Sequence, residues 1–199
     1  GMVILVTGIA GFIASRVAQL LAQRGDTVVG VDNINGYYDV SLKYARMREL
    51  LGIEDILGND MTFGEEYISS KYPNLSFIRL SIDDKTALDS LFEREHFDVV
   101  VNLAAQAGVR YSITHPYVYM QSNLLGFLNI LEACRNFNVS KLVFASSSSV
   151  YGLNDKVPYG ENDMVDSPVS LYAATKKANE LMAHSYSKLY GFQTIGLRY

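Results

Sequence analysis

The sequence predicts an α/β fold, a doubly wound parallel sheet with helices on both faces. Two observations carry this. Short apolar, β-branched runs alternate with segments whose apolar residues recur at helical spacing, the pattern of βαβ units. The runs are also apolar throughout, as strands covered on both faces are. The expected strand order is 3-2-1-4-5-6.

Val3–Val6 is the first strand, closed by Thr7-Gly8. Ile13, Val17, Leu20 and Leu21 then recur at helical spacing, and Gly25 supplies a C-terminal stop. Thr27–Val31 forms the second strand and ends at Asp32. A helix is expected around Leu42–Leu51, and further helix around Glu65–Lys71, because the stretch from Gly52 to Asn74 is long for a plain loop. Leu75–Leu80 is strand three, Lys85–Arg94 a helix turning Leu88, Leu91 and Phe92 inward, and Phe97–Leu103 strand four. Ser122–Asn136 is a helix, Lys141–Ser146 strand five, Leu171–Leu189 a long helix closed by Gly191, and Phe192–Arg198 strand six. No repeat or flexible linker interrupts the series.

The 199 residues suit one globular domain with one substantial core. A net charge of -4 argues against nucleic-acid binding, which needs a basic face. Anionic nucleotides remain open to it, because backbone amides at a helix N-terminus bind phosphate. The single cysteine, Cys134, lies on an apolar helix stripe and reads as inert core; one cysteine forms no intrachain disulfide, which fits a reducing cytoplasm. No run is apolar and long enough for a membrane span. The first strand begins at once, leaving no room for a signal peptide, and Gly1 ahead of Met2 reads as the remnant of a cleaved tag. His96, His115 and His184 have no metal-ligand spacing and read as surface or packing residues, so no metal is expected.

Three motifs carry chemistry. Thr7-Gly8-Ile9-Ala10-Gly11-Phe12-Ile13-Ala14 joins the first strand to the first helix. Gly8 and Gly11 there permit a tight turn and a close backbone approach to a pyrophosphate, next to the unpaired N–H groups of a helix N-terminus. Asp32 follows at the end of the second strand, where a carboxylate accepts hydrogen bonds from ribose hydroxyls and repels a 2′-phosphate. That favours NAD over NADP; the plainer role for Asp32 is to open a turn with Asn33. Tyr172 and Lys176, four apart near the start of the long helix, share one face, so an ammonium sits beside a phenol able to act as a base. Alone, such a pair would read as ordinary helix surface. It is accompanied by Ser146-Ser147-Ser148-Ser149 at the C-terminal end of strand five, the sheet edge where open α/β proteins bind ligands.

These motifs, with three longer stretches, resemble the nucleotide-sugar epimerases of the NAD-dependent epimerase/dehydratase family, extended short-chain dehydrogenases/reductases with a Rossmann-type cofactor domain. The stretches are Asp32–Lys43, Asn102–Ser112 and Ser170–Met182, and within the family they are most similar to UDP-glucuronate 4-epimerases. The resemblance covers essentially the whole chain. It implies residues 2–199 as the NAD(P)-binding domain, with the family's C-terminal substrate-binding domain absent. It implies Tyr172 as base, Lys176 as its electrostatic partner and a nicotinamide-ribose ligand, and Ser147 as the hydroxyl bonding the reacting sugar oxygen, with Ser148 beside it. Phe12 and Ile13 would meet the pyrophosphate through their amides, Asp32 and Asn33 the ribose end, and Ser81 and Ile82 the adenine. Leu103, Ala104 and Ala105 would line the cleft, and Asn123 would support the nicotinamide end. Arg110 could meet a substrate carboxylate or phosphate, or form a structural ion pair; Tyr37 and Tyr38 could cover the cofactor mouth or simply pack. The implied reaction oxidises C4 of a UDP-sugar with NAD and returns hydride to its other face. In relatives the helices after strands four and five often pair across a dimer, which leaves a homodimer open for this chain.

Two departures stand out. Ala14 occupies the place of the family's third glycine, and Leu80-Ser81-Ile82 stands where the family has Gly-Asp-(Leu/Ile), whose aspartate contacts the adenine amino group. The nearest rival, a nucleotide-sugar 4,6-dehydratase, needs an acidic pair after the strand-five hydroxyl, and Ser148-Ser149 offers none. A UDP-glucose 4-epimerase is a second alternative within the family. From another class comes a truncated, non-catalytic dinucleotide-binding module.

Overall fold

The computed structural model describes residues 1–35, 40–54, 61–104, 109–146 and 171–198, with only the backbone at 109–111. The described strands are β1 (Val3–Thr7), β2 (Thr27–Asp32), β3 (Glu66–Ile68), β4 (Leu75–Arg79), β5 (Val99–Asn102), β6 (Lys141–Ala145) and β7 (Gln193–Leu197). They form one sheet in the order β3-β4-β2-β1-β5-β6-β7. All pairings are parallel except β3 with β4. The six parallel strands therefore stand in the expected 3-2-1-4-5-6 order, with one antiparallel strand added at the edge.

That added strand corrects the helix expected around residues 65–71. Glu66, Tyr67 and Ile68 pair with Ile78, Phe77 and Ser76. Tyr67 lays its ring 6.3 Å from that of Phe77, while its two neighbours stay exposed. This is the two-residue alternation of a strand, too short to announce itself in the sequence. Ser69 then blocks helix propagation: its Oγ donates to the Leu50 carbonyl and accepts from the amides of Lys71 and Tyr72.

The helices are α1 (Phe12–Arg24), α2 (Ser41–Leu51), α3 (Lys85–Glu95), α4 (Val109–Thr114), α5 (Pro116–Met120), α6 (Gly126–Asn136) and α7 (Leu171–Tyr190). α4 and α5 lie where no helix was expected. The helix expected from Ser122 instead begins with a π-helical turn, Gln121–Leu125, which leads into α6. Strand boundaries otherwise shift by one or two residues, as element ends do.

The sheet is covered on both faces. α1 and α2 pack Ala14, Ala18, Met47 and Leu51 against Ile4, Val6 and Val28. α3, α6 and α7 pack Leu88, Phe92, Phe127, Ile130 and Ala183 against Leu5, Val29, Val100 and Leu142. Ala14, Ala18 and Ala22 are buried at four-residue spacing, and such small side chains let α1 lie close on the strands. The methyl of Ala14, the first departure from the family pattern, is absorbed in this core. Cys134 is buried in the opposite cluster, where desolvation pushes its thiol well above the ordinary range, as its core reading requires.

Candidate active site

The C-terminal ends of β1, β2, β4, β5 and β6 open onto a cavity of about 460 Å³, within the size range of small-molecule sites. Its floor is the turn after β1. Gly8 has φ +71°, and a Cβ there would stand 2.8 Å from the Ala104 amide nitrogen. Only glycine lets the β1 exit approach the β5 exit so closely. Gly11 N–H bonds back to the Gly8 carbonyl at 2.9 Å, and Gly11 caps α1 with no side-chain partner. The first-turn amides of α1, from Phe12 onward, therefore lack intrahelical acceptors and give the cavity a positive edge. From α2, Arg46 donates to the Ala10 carbonyl at 3.1 Å and holds its guanidinium 5.8 Å over the Phe12 ring.

Asp32 performs the turn-forming role weighed for it and also lines the cavity. Its Oδ1 accepts from the Ile34 amide at 2.7 Å and its Oδ2 from Ala10 at 3.1 Å, tying the ends of β1 and β2 together. Each carboxylate oxygen retains a further lone pair. Lys43 stands 3.5 Å away and lines the same cavity with Asn33 and Asn35. Lys43 went unrecognised in the sequence, since nothing in the spacing says that α2 folds back over β2.

On the other side, Thr7 and Asn102 face each other across β1 and β5. The Thr7 Oγ1 donates to Asn102 Oδ1 and accepts from the amides of Leu103 and Ala104, both at 3.1 Å. This staple, also missed in the sequence, shapes the wall that Leu103 and Ala104 present. Both residues border a narrow cleft running deeper to Asn123, Lys176, Asn179 and Ala145. Burial pulls the Lys176 ammonium down to a pKa of about 8. With its side-chain amide turned so that both of its ends are satisfied, Asn179 donates to the carbonyls of Asn123, in the π turn, at 2.8 Å and of Thr175 at 3.3 Å. Ser146, at the end of β6, donates its hydroxyl to Glu180 Oε1 on α7. Through these two contacts α7 is fastened to both the π turn and the sheet edge.

Tyr172 lies one turn before Lys176 on α7, half-buried, with its ring 6.5 Å from Tyr119. Gly8, Gly11, Phe12, Ile13, Asp32, Asn33, Ser81, Ile82, Leu103 and Ala104 all line the large cavity, and Asn123 and Lys176 the cleft beside it. Ser81 donates its hydroxyl to Asp83 Oδ1, a neighbour the sequence reading passed over. Ser147, Ser148, Ala105, Tyr37 and Tyr38 lie outside the described residues, as does the side chain of Arg110. Among the described residues no cluster of His, Cys, Asp or Glu is arranged to hold a metal, and no helix is long and apolar enough to cross a membrane.

A doubly wound sheet with a glycine turn, a carboxylate at the end of β2 and a cleft lysine one helical turn from a tyrosine defines a dinucleotide-binding protein of short-chain dehydrogenase type. The chain belongs to the NAD dependent epimerase/dehydratase family, whose model matches residues 4–199. It is 49% identical over 198 residues to Protein CapI of Staphylococcus aureus, covering 100% of this chain and 53% of that protein. It is 46% identical over 200 residues to UDP-glucuronate 4-epimerase 4 of Arabidopsis thaliana, covering 100% of this chain and 41% of that one. Among solved structures it is similar to the UDP-glucuronic acid 4-epimerase of Bacillus cereus in complex with UDP-glucuronic acid and NAD. That match has a TM-score of 0.75 and 32% identity, over 100% of this chain and 56% of that chain. The chain thus spans about half the length of the curated relatives it matches. The family's cofactor fits what is present: a glycine turn whose backbone packs too closely on the β5 exit for a Cβ at Gly8, first-turn α1 amides without side-chain caps for a diphosphate, and the Asp32 carboxylate lining the same cavity.

Proposed function

We propose that the chain is the NAD-binding and catalytic part of a UDP-glucuronate 4-epimerase, and that the uronic-acid half of the substrate is gripped largely by chain outside these 199 residues. The observation that carries the reading is the buried Lys176, set one turn from Tyr172 in a cleft that shares Leu103, Ala104 and Ala145 with the glycine-turn cavity. Bound NAD supplies reversible hydride transfer at C4 of the sugar. Tyr172 takes the proton of the C4 hydroxyl and gives it back, and Ser147 holds the same oxygen by a hydrogen bond. Lys176 remains largely protonated at neutral pH and sets its positive charge one turn from Tyr172, beside the proton being moved. Asp32 and Asn33 hold the adenosine ribose, and the α1 amides of Phe12 and Ile13 hold the diphosphate. Asn123 keeps the nicotinamide end of the cleft in shape, with Asn179 bonded to its carbonyl.

The test is a chimera joining this chain to the C-terminal portion of its Staphylococcus aureus relative, incubated with NAD and either UDP-glucuronate or UDP-glucose. NMR should show UDP-galacturonate accumulating from the first. Turnover of UDP-glucose alone would assign the chain to neutral sugars. Retained NAD binding with no turnover of either would overturn the epimerase reading.

A further inference from the structure

We propose, resting on the NAD reading above, that Arg79 is a positioning residue for the adenosine ribose. It touches no ligand itself, but holds the turn after β2 in the shape that presents Asp32 and Asn33 to the cavity. Ile34, in that turn, has φ +50°, a left-handed conformation that a β-branched side chain strongly disfavours. Its side chain is buried in the core on the α1–α2 side of the sheet. A residue persists in such a conformation only where its surroundings over-determine it.

Here the turn is held peptide by peptide. The carbonyl and N–H of a trans peptide point opposite ways, so each plane can be gripped at both ends. In the Asn33–Ile34 plane the N–H donates to Asp32 Oδ1 at 2.7 Å, and the carbonyl accepts from Arg79 Nε at 3.0 Å. In the Ile34–Asn35 plane the N–H donates to Asn33 Oδ1 at 3.2 Å, and the carbonyl faces Arg79 Nη2 at 3.5 Å. The two N–H groups thus aim the side chains of Asp32 and Asn33, while both carbonyls meet one guanidinium. Arg79 is fixed in turn: its Nη1 donates to the Met61 carbonyl at 2.9 Å, and its guanidinium lies 4.3 Å over the Phe63 ring. It ends β4 opposite Asp32 in register and stands behind the turn, whereas Asp32, Asn33 and Asn35 line the cavity. A planar fork of donors serves these three carbonyls at once, which a single ammonium does not. Without Arg79, Ile34 relaxes toward negative φ, both planes rotate, and Asp32 and Asn33 lose the N–H groups that aim them.

Titration calorimetry of the 199-residue chain with NAD and with NADP tests this, with thermal melts to verify folding. The wild-type chain should prefer NAD. Arg79→Met should bind NAD about tenfold more weakly, the scale of one or two ribose hydrogen bonds, while NADP binding changes little and the preference narrows. Arg79→Lys, which keeps the charge over Phe63, should fall between the two and carries the same readout if the methionine variant does not fold. In an Asp32→Ala background, Arg79→Met should cost little further NAD affinity, because it acts through that turn. Equal losses for NAD and NADP, unchanged NAD affinity in the Arg79 variants, or full additivity with Asp32→Ala would overturn the Arg79 assignment and leave the NAD reading standing. A wild-type chain that binds neither dinucleotide would overturn the NAD reading as well.

Discussion

The β1–β2–β4 side of the sheet and its β6–β7 side are built from different material. On the first, ligand-facing groups are mostly backbone, or side chains that hold backbone: the Gly8–Gly11 turn, the α1 amides, Asp32 bridging Ala10 and Ile34, and Thr7 fastening Leu103 and Ala104. β1 and β2 are buried almost throughout. On the second, β6 alternates between full and partial burial and β7 is largely exposed, and the candidate groups are side chains on α7, which Glu180 ties to Ser146 at the sheet edge and Asn179 to the π turn. Backbone sites depend on exact chain geometry and tolerate little added volume. Side-chain sites depend on charge and proton position, and can lose their chemistry without losing the fold.

The largest effect expected from that contrast is on the α7 side. Tyr172→Phe in the chimera should lower epimerisation by about a hundred- to ten-thousand-fold, the usual worth of a general base, while calorimetry finds NAD binding nearly intact. Near-normal turnover would remove Tyr172 from the chemistry.

Lys176 gives the next effect, in stability. Its pKa falls from 10.5 unfolded to about 8 folded, so the folded chain binds this proton more weakly. Below pH 8 both states hold the proton and the burial cost is paid in full. As pH rises from 8 toward 10.5 only the unfolded state stays protonated, and stability climbs by up to about 3 kcal/mol from this group. Lys176→Met should therefore stabilise the chain near pH 7 and flatten this climb in denaturant titrations at several pH values, at the expense of turnover. A variant less stable than wild type at pH 7 would contradict the cost assigned to the buried ammonium.

On the glycine side the effect is steric. Gly8→Ala forces a methyl against the Ala104 backbone at positive φ and should cost about 1–3 kcal/mol in thermal unfolding, with NAD binding weakened in parallel. An unchanged melting temperature would mean that the β1 and β5 exits have room to part. The smallest effect belongs to Asp32→Ala, which should lose roughly 1 kcal/mol per ribose hydrogen bond with NAD and narrow its preference over NADP. If the preference is unchanged, Asp32 serves the turn alone.

Much of this was readable from residues in order. Apolar runs placed the six parallel strands, because a strand buried on both faces has little choice of composition. The glycine turn, Asp32 and Tyr172–Lys176 declared themselves because each is a local arrangement that one turn or one helix face completes. The edge strand Glu66–Ile68 did not: three residues with one inward side chain carry too weak a period, and pairing with β4 decided their conformation. The π turn, which Asn179 of α7 meets at the Asn123 carbonyl, was not announced in the sequence either.

The amino-acid sequence by itself determined the class of fold, the order of its parallel strands and the residue types that reach the C-terminal sheet edge, since these follow from local periodicity and short motifs. Only the tertiary structure decided that Lys43 stands over Asp32, that Thr7 and Asn102 shape the inner wall, that Asn179 and Glu180 anchor α7, and that the Ser81 hydroxyl donates a hydrogen bond to Asp83. Most of these contacts join elements far apart in the chain, and even the short Ser81–Asp83 one depends on how the exit of β4 turns. Their partners are chosen by how helices settle on the sheet, a matter of packing that no spacing along the sequence encodes.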